Sequence, residues 1–215
     1  MLFRSPSLTS ESSKVVQGKR EIFCSNLRCS AILPFMNAEN SSVAVTAAVT
    51  ATTSAAAVDS NRVQMYLQIE EDLQALTGGR ADFPFRSALV SLIALLKERH
   101  SKISWVGAYM ETHPGTGHLF IDAYQGKVAC VEIPKGKGVC GASFEQKVSL
   151  IVPNVDAFPG HIACDSLSRS EIVLPLRHNG QWIGVLDLDS HELDAFQVGD
   201  ELGLNRILNT IENLP

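Results

Sequence analysis

No apolar run in the 215 residues approaches the roughly 20 that a helix needs to cross a bilayer, so nothing reads as a membrane span. Clustered lysine and arginine are also missing. Eighteen basic against 23 acidic side chains leave a net charge of −5, the opposite of what phosphate binding requires, which excludes nucleic acid as a partner. The five cysteines show no paired spacing of the structural-zinc kind, and their number is odd. Mostly reduced thiols in a reducing compartment follow, where a disulfide would be transient and catalytic. The glycine-rich stretch PKGKGVCGASFEQ (134–146) lacks both the spacing and the terminal Lys-Ser/Thr of a phosphate-binding loop, so a nucleoside triphosphatase is excluded. No internal repeat occurs. What remains, 45% hydrophobic and 19% charged, suits one soluble domain with an extension.

The extension is residues 1–61. Its SSVAVTAAVTATTSAAAV stretch (41–58) buries too little side chain to offset the entropy of ordering, and disorder is expected. Ahead of it, Arg4, Lys14, Lys19, Arg20 and Arg28 outnumber Glu11 and Glu21 among many serines, a composition that fits an organellar transit peptide as well as a plain leader. Cys24 and Cys29 are expected to play no functional part.

From residue 62 to 215 the pattern is that of an α+β domain. Tyr66, Ile69, Leu73 and Leu76 recur at helical spacing before the Gly78-Gly79 stop, and Asp82 is placed to cap a second helix with a Phe85, Leu89, Leu92, Ile93, Leu96 stripe. The period then becomes two. Ile103–Met110, His118–Tyr124 and Lys127–Ile133 read as an antiparallel meander. Asn179-Gly180 marks a hairpin turn between Glu171–Arg177 and Trp182–Asp189, and a closing helix starts near Val198. Such a sheet needs helices on both faces.

Several side chains could carry chemistry. Cys164 lies among His161, Asp165, Ser166, Ser168 and Arg169, a polar setting in which a thiolate could form, although free cysteines are often simply buried. Asp187 and Asp189, two apart on a strand, project from one face about 7 Å apart. They either meet solvent at the strand end or share a proton in a pocket. Glu171 presents a register problem: across a strict two-residue turn it faces Leu188 and points away from the aspartates, unless a bulge intervenes, for which Pro175 is the visible signal. Trp105 and Tyr109 share a face with Gly107 between them, as core or as an aromatic wall with room for a thioether. Cys130 and Cys140 flank the glycine loop, where a thiol could meet a sulfenic acid. Asp187, Asp189 and His161 also admit a metal-dependent hydrolase reading.

Three segments, GKVACVEIPKGKGVCG, FPGHIACDSLSRSEIVLPL and IGVLDLDS, resemble in order and separation the free methionine-(R)-sulfoxide reductases, which are GAF-domain enzymes. The resemblance spans roughly residues 62–213. It implies a GAF fold with a central antiparallel sheet of about six strands, and reduction of the free amino acid. By motif, Cys164 would be the nucleophile, Cys130 the main resolving thiol and Cys140 an auxiliary one, with a Cys130–Cys164 disulfide reduced by thioredoxin. Glu171, Asp187 and Asp189 would bind the amino group and the sulfoxide oxygen, while Trp105 and Tyr109 would hold the methyl end. No resident cofactor is implied, since electrons come from thioredoxin and ultimately NADPH. The family also implies a homodimer in the cytoplasm, or in an organelle matrix if residues 1–60 are a targeting signal. The rival within the fold is a GAF module that senses a cyclic-nucleotide-like small ligand without catalysis.

Overall fold

The computed structural model describes residues 59–215, so the expectations for the leader, including those for Cys24 and Cys29, lie outside the described residues. Helix α1 (Ser60–Thr77) starts two residues before the domain boundary inferred from composition, because the Asp59 side chain accepts the Asn61 N–H and caps it. Gly78, with φ 63°, closes it in the left-handed conformation. Its buried stripe runs Tyr66, Ile69, Leu73 and then Thr77, four residues on, which leaves Leu76 exposed rather than inward. Helix α2 (Phe85–Arg99) buries the expected stripe, but Asp82 does not cap it. Asp82 pairs instead with Arg80 at 2.9 Å, and the Phe85 N–H donates to the Pro215 carbonyl.

Six antiparallel strands follow: β1 (Trp105–Met110), β2 (Leu119–Gln125), β3 (Glu132–Ile133), β4 (Leu150–Val152), β5 (Ser170–His178) and β6 (Gln181–Ser190), in the spatial order β3-β2-β1-β6-β5-β4. Helix α3 (Gly138–Gln146) lies between β3 and β4, and α4 (Val198–Ile211) closes the chain. Strand alternation divides the sheet into two faces. Val106, Ala108, Ile172, Leu174, Leu186 and Leu188 pack with α1, α2 and α4 in the larger core. Tyr109, Val173 and Val185 pack on the other side with Val139, Cys140 and Phe144 of α3. Helices therefore cover both faces, as the alternation requires.

The third meander strand is shorter than its pattern suggests. Only Glu132 and Ile133 pair with β2; apart from the Val131 carbonyl, which accepts the Ile121 N–H at 3.0 Å, the loop 126–131 leaves the sheet edge and crosses the face that carries Trp105 and Tyr109.

Candidate active site

The register of the β5–β6 hairpin decides which side chains meet. Asn179 and Gly180 both have positive φ, and His178↔Gln181 and Arg177↔Trp182 pair across them as a two-residue turn demands. The next pair is Leu176↔Gly184, so β6 carries one extra residue, Ile183. That single residue moves everything beyond it by one position and exchanges the faces. Glu171 consequently stands opposite Asp189, and Val173 opposite Asp187. The bulge falls in the expected interval but belongs to β6, not to Pro175, which pairs with Val185 in an unbroken ladder. β4 pairs only with Glu171–Val173, so β5 has a free edge at Pro175, where a proline is tolerated. On the other flank β6 sets Asp189 opposite Trp105, Asp187 opposite Gly107 and Val185 opposite Tyr109. Glu171, Asp187, Asp189, Trp105 and Tyr109 thus share one face of three adjacent strands.

The space at Gly107 is already filled. A Cβ there would lie 2.4 Å from the Trp105 ring and 2.6 Å from the Tyr124 Cβ, because Trp105 folds across Gly107 to stack on Tyr124 at 5.7 Å between centroids. The glycine accommodates the chain's own aromatics, not a thioether. Tyr124 was not singled out in the sequence, where nothing marks it among strand aromatics.

Burial dominates the electrostatics. Glu171 is pushed up to about 8 by burial and then by the charge of Asp189. Asp189 rises to about 6 through burial, with Ser168 and His161 drawing it back. Asp187, 7% exposed, is held well above the ordinary carboxylate range by burial and by both acid neighbours. Its Oδ1 has no hydrogen-bond partner among the described residues. His161 Nε2 lies 3.5 Å from Glu171 Oε2. Glu171 and Asp187 therefore keep their protons near neutrality, whereas Asp189 is mostly ionised there. Among the described residues no set of three or more His, Cys, Asp or Glu side chains is arranged to hold a metal ion, and His161 does not complete one with Asp187 and Asp189.

The cysteines close this face. Cys130 and Cys164 form a disulfide, their Cα atoms 5.3 Å apart. Cys140, on α3, is a free, buried thiol facing Asp187, and burial followed by the Asp187 charge keeps it protonated. The crossing loop is held by the site's own side chains: Trp105 Nε1–H donates to the Lys127 carbonyl at 3.0 Å and the Tyr109 hydroxyl to the Cys130 carbonyl at 3.2 Å. Lys127 Nζ reaches Asp165 at 3.1 Å, and His191 Nε2 meets the same carboxylate at 3.2 Å. Lys127 and His191 had no signal in the sequence, since their role depends on loops brought together from three parts of the chain. Beneath the loop, Trp105, Tyr109, Cys164, Asp187 and Asp189 line a cavity of only ≈ 20 Å³, space for about one water.

The GAF domain family matches residues 84–212. GAF domain-containing protein A of Dictyostelium discoideum is 48% identical over 125 residues, covering 58% of this chain and 77% of that protein. Free methionine-R-sulfoxide reductase of Escherichia coli (strain K12) is 40% identical over 154 residues, 72% of this chain and 90% of the relative. The solved structure of free methionine-R-sulfoxide reductase from Neisseria meningitidis in complex with its substrate superimposes with a TM-score of 0.64 at 37% identity, covering 73% of this chain and 90% of that one. With its fold, its paired cysteines and these relatives in agreement, the chain belongs to the GAF-domain family of free methionine-(R)-sulfoxide reductases.

Proposed function

We propose that this oxidoreductase reduces free L-methionine-(R)-sulfoxide to L-methionine through a sulfenic acid on Cys164 and the Cys130–Cys164 disulfide. One observation carries the reading: the disulfide closes over a sheet face on which Glu171 and Asp187 are buried and hold protons while Asp189, half-buried and raised only to about 6, stands beside them. In the dithiol form the Cys164 thiolate attacks the sulfoxide sulfur. The oxygen passes to Cys164, whose sulfur is oxidised by two electrons to the sulfenic acid, while the sulfoxide is reduced by two electrons to the thioether. The Cys130 thiol then attacks the sulfenic sulfur, the S–S bond forms, and the hydroxyl leaves with a proton as water.

Sulfoxide oxygen leaves poorly until protonated, and acids whose pKa values are raised by burial are suited to supply that proton. An ionised member of the same cluster pairs with the substrate ammonium. Trp105 and Tyr109 enclose the methyl end, and Cys140, protonated beside Asp187, is an auxiliary thiol. Methionine sulfoxide has far more atoms than a cavity of ≈ 20 Å³ holds, so reduction of the disulfide has to free residues 126–131 before substrate enters. A pocket that closes in this way and pairs a free ammonium favours the amino acid over an oxidised residue in a protein. A dithiol protein, thioredoxin, recharged from NADPH, restores the thiols without a resident cofactor. The reaction belongs in the cytoplasm, or in an organelle matrix if the first 60 residues direct the chain there.

Incubation with each methionine sulfoxide epimer, thioredoxin, thioredoxin reductase and NADPH tests the proposal. NADPH consumption with the R epimer alone is expected. No consumption with either epimer would return the chain to the ligand-sensing reading.

A further inference from the structure

We propose that Tyr109 donates a hydrogen bond to the sulfoxide oxygen in the productive complex, and that Cys130 takes over the substrate's two partners when the disulfide forms. The inference rests on the reductase reading above and adds a catalytic residue to it. Tyr109 is 1% exposed, and a phenol hydroxyl buried to that extent needs an acceptor. The acceptor is the Cys130 main-chain carbonyl at 3.2 Å. The sulfur of that same residue is bonded to Cys164. Cys130 therefore presents a sulfur to the nucleophilic cysteine and an oxygen to Tyr109, the two atom types that a sulfoxide brings to the same hollow. Tyr109, Cys164, Asp187 and Asp189 line one cavity, so a ligand that touches the sulfur lies within reach of the hydroxyl.

Opening of the 126–131 loop withdraws the Cys130 carbonyl and leaves a buried O–H without a partner, which is unfavourable. A substrate oxygen restores the bond. Burial and then the charge of Asp187 raise the phenol above its ordinary range, so it acts as a donor throughout and never as the proton source. Its contribution is to stabilise charge on the oxygen as the S–O bond lengthens, while the proton comes from the carboxylates and no electrons pass through the ring. Product methionine lacks the oxygen and cannot accept this bond, so its release is not opposed by it.

Tyr109→Phe keeps the ring and removes the donor. The dithiol enzyme and this variant are compared for kcat/KM on the R-sulfoxide and for the Kd of L-methionine. The expected outcome is a fall in kcat/KM of about 10- to 100-fold, mostly in kcat, with methionine affinity preserved, which also shows that the variant is folded. Unchanged kcat/KM, or a parallel loss of methionine affinity that marks a packing role, would overturn the assignment. Wild-type enzyme in the same assay separates the two levels: if it fails to turn over, the reductase reading falls and takes this one with it. An active wild type with an unimpaired Tyr109→Phe variant removes only the role of Tyr109.

Discussion

Three cysteines of the domain occupy three different environments, and their environments rank them. Cys164 is partly exposed in a loop beside the acid cluster, Cys130 sits on a crossing loop, and Cys140 is sealed on a helix against Asp187. A thiolate is the attacking form, and burial and then the Asp187 carboxylate oppose its formation on Cys140. Replacing Cys164 by serine should therefore reduce methionine release in a single turnover to background. Cys130→Ser should still release about one methionine per active site before stalling, since only the step that closes the disulfide is lost. Quench-flow quantification of methionine against enzyme concentration distinguishes them. A full burst from Cys164→Ser would reassign the nucleophile.

At the level of elements, the site exists because glycines let aromatics lie flat against a strand and because one bulge turns a hairpin. An added methyl at Gly107 meets Trp105 and Tyr124 well inside contact distance, and neither can yield without disturbing the wall of the cavity. Gly107→Ala should cost about 1–3 kcal/mol by overpacking. It should also shift the Trp105 emission, measured in a Trp182→Phe background because the chain has two tryptophans. Unchanged emission and urea midpoint would mean that a methyl group fits at position 107 without displacing the ring. Asn179-Gly180 and the helical stripes were legible because turn chemistry and period are local. Glu171 facing the aspartates was legible only as a conditional, since a two-residue turn fixes register only as far as the first bulge. Ile183 looks like any β-branched strand residue, whereas Pro175, the conspicuous one, simply uses the free edge beyond β4. Residues 127–131 of the crossing loop read as strand because Lys127–Ile133 follows the Gln125-Gly126 turn signal. The loop's Lys127 and Cys130 carbonyls are instead claimed by Trp105 and Tyr109 side chains, and Cys130 is tied to a partner 34 residues away, neither of which a local pattern encodes.

Across the whole molecule, two buried acid centres pull stability in opposite directions with pH. Asp200, fully buried, receives hydrogen bonds from Tyr66 and the Gln197 N–H, pairs with Arg62 and lies 3.4 Å from His100, joining α1, α4 and the end of α2. Although burial alone raises its pKa, these partners outweigh it and hold the carboxyl below its ordinary value; its stabilisation is present above that value and is lost as pH falls through the folded one. The site carboxylates do the reverse. Glu171 titrates near 4.5 when unfolded and at about 8 when folded, so between those values the native state binds more protons than the unfolded chain and stability declines as pH rises. The disulfide form should therefore lose stability from pH 5 to pH 8, on the order of a few kcal/mol. Glu171→Gln, which cannot ionise, should flatten that slope, differing little from wild type at pH 4.5 and exceeding it at pH 8. Urea unfolding without reductant across this range makes the comparison. A wild-type curve that rises to pH 8 in parallel with the variant would show that Glu171 is ionised without penalty in the folded protein. The site would then have to draw its proton for the sulfoxide oxygen from Asp187 or Asp189.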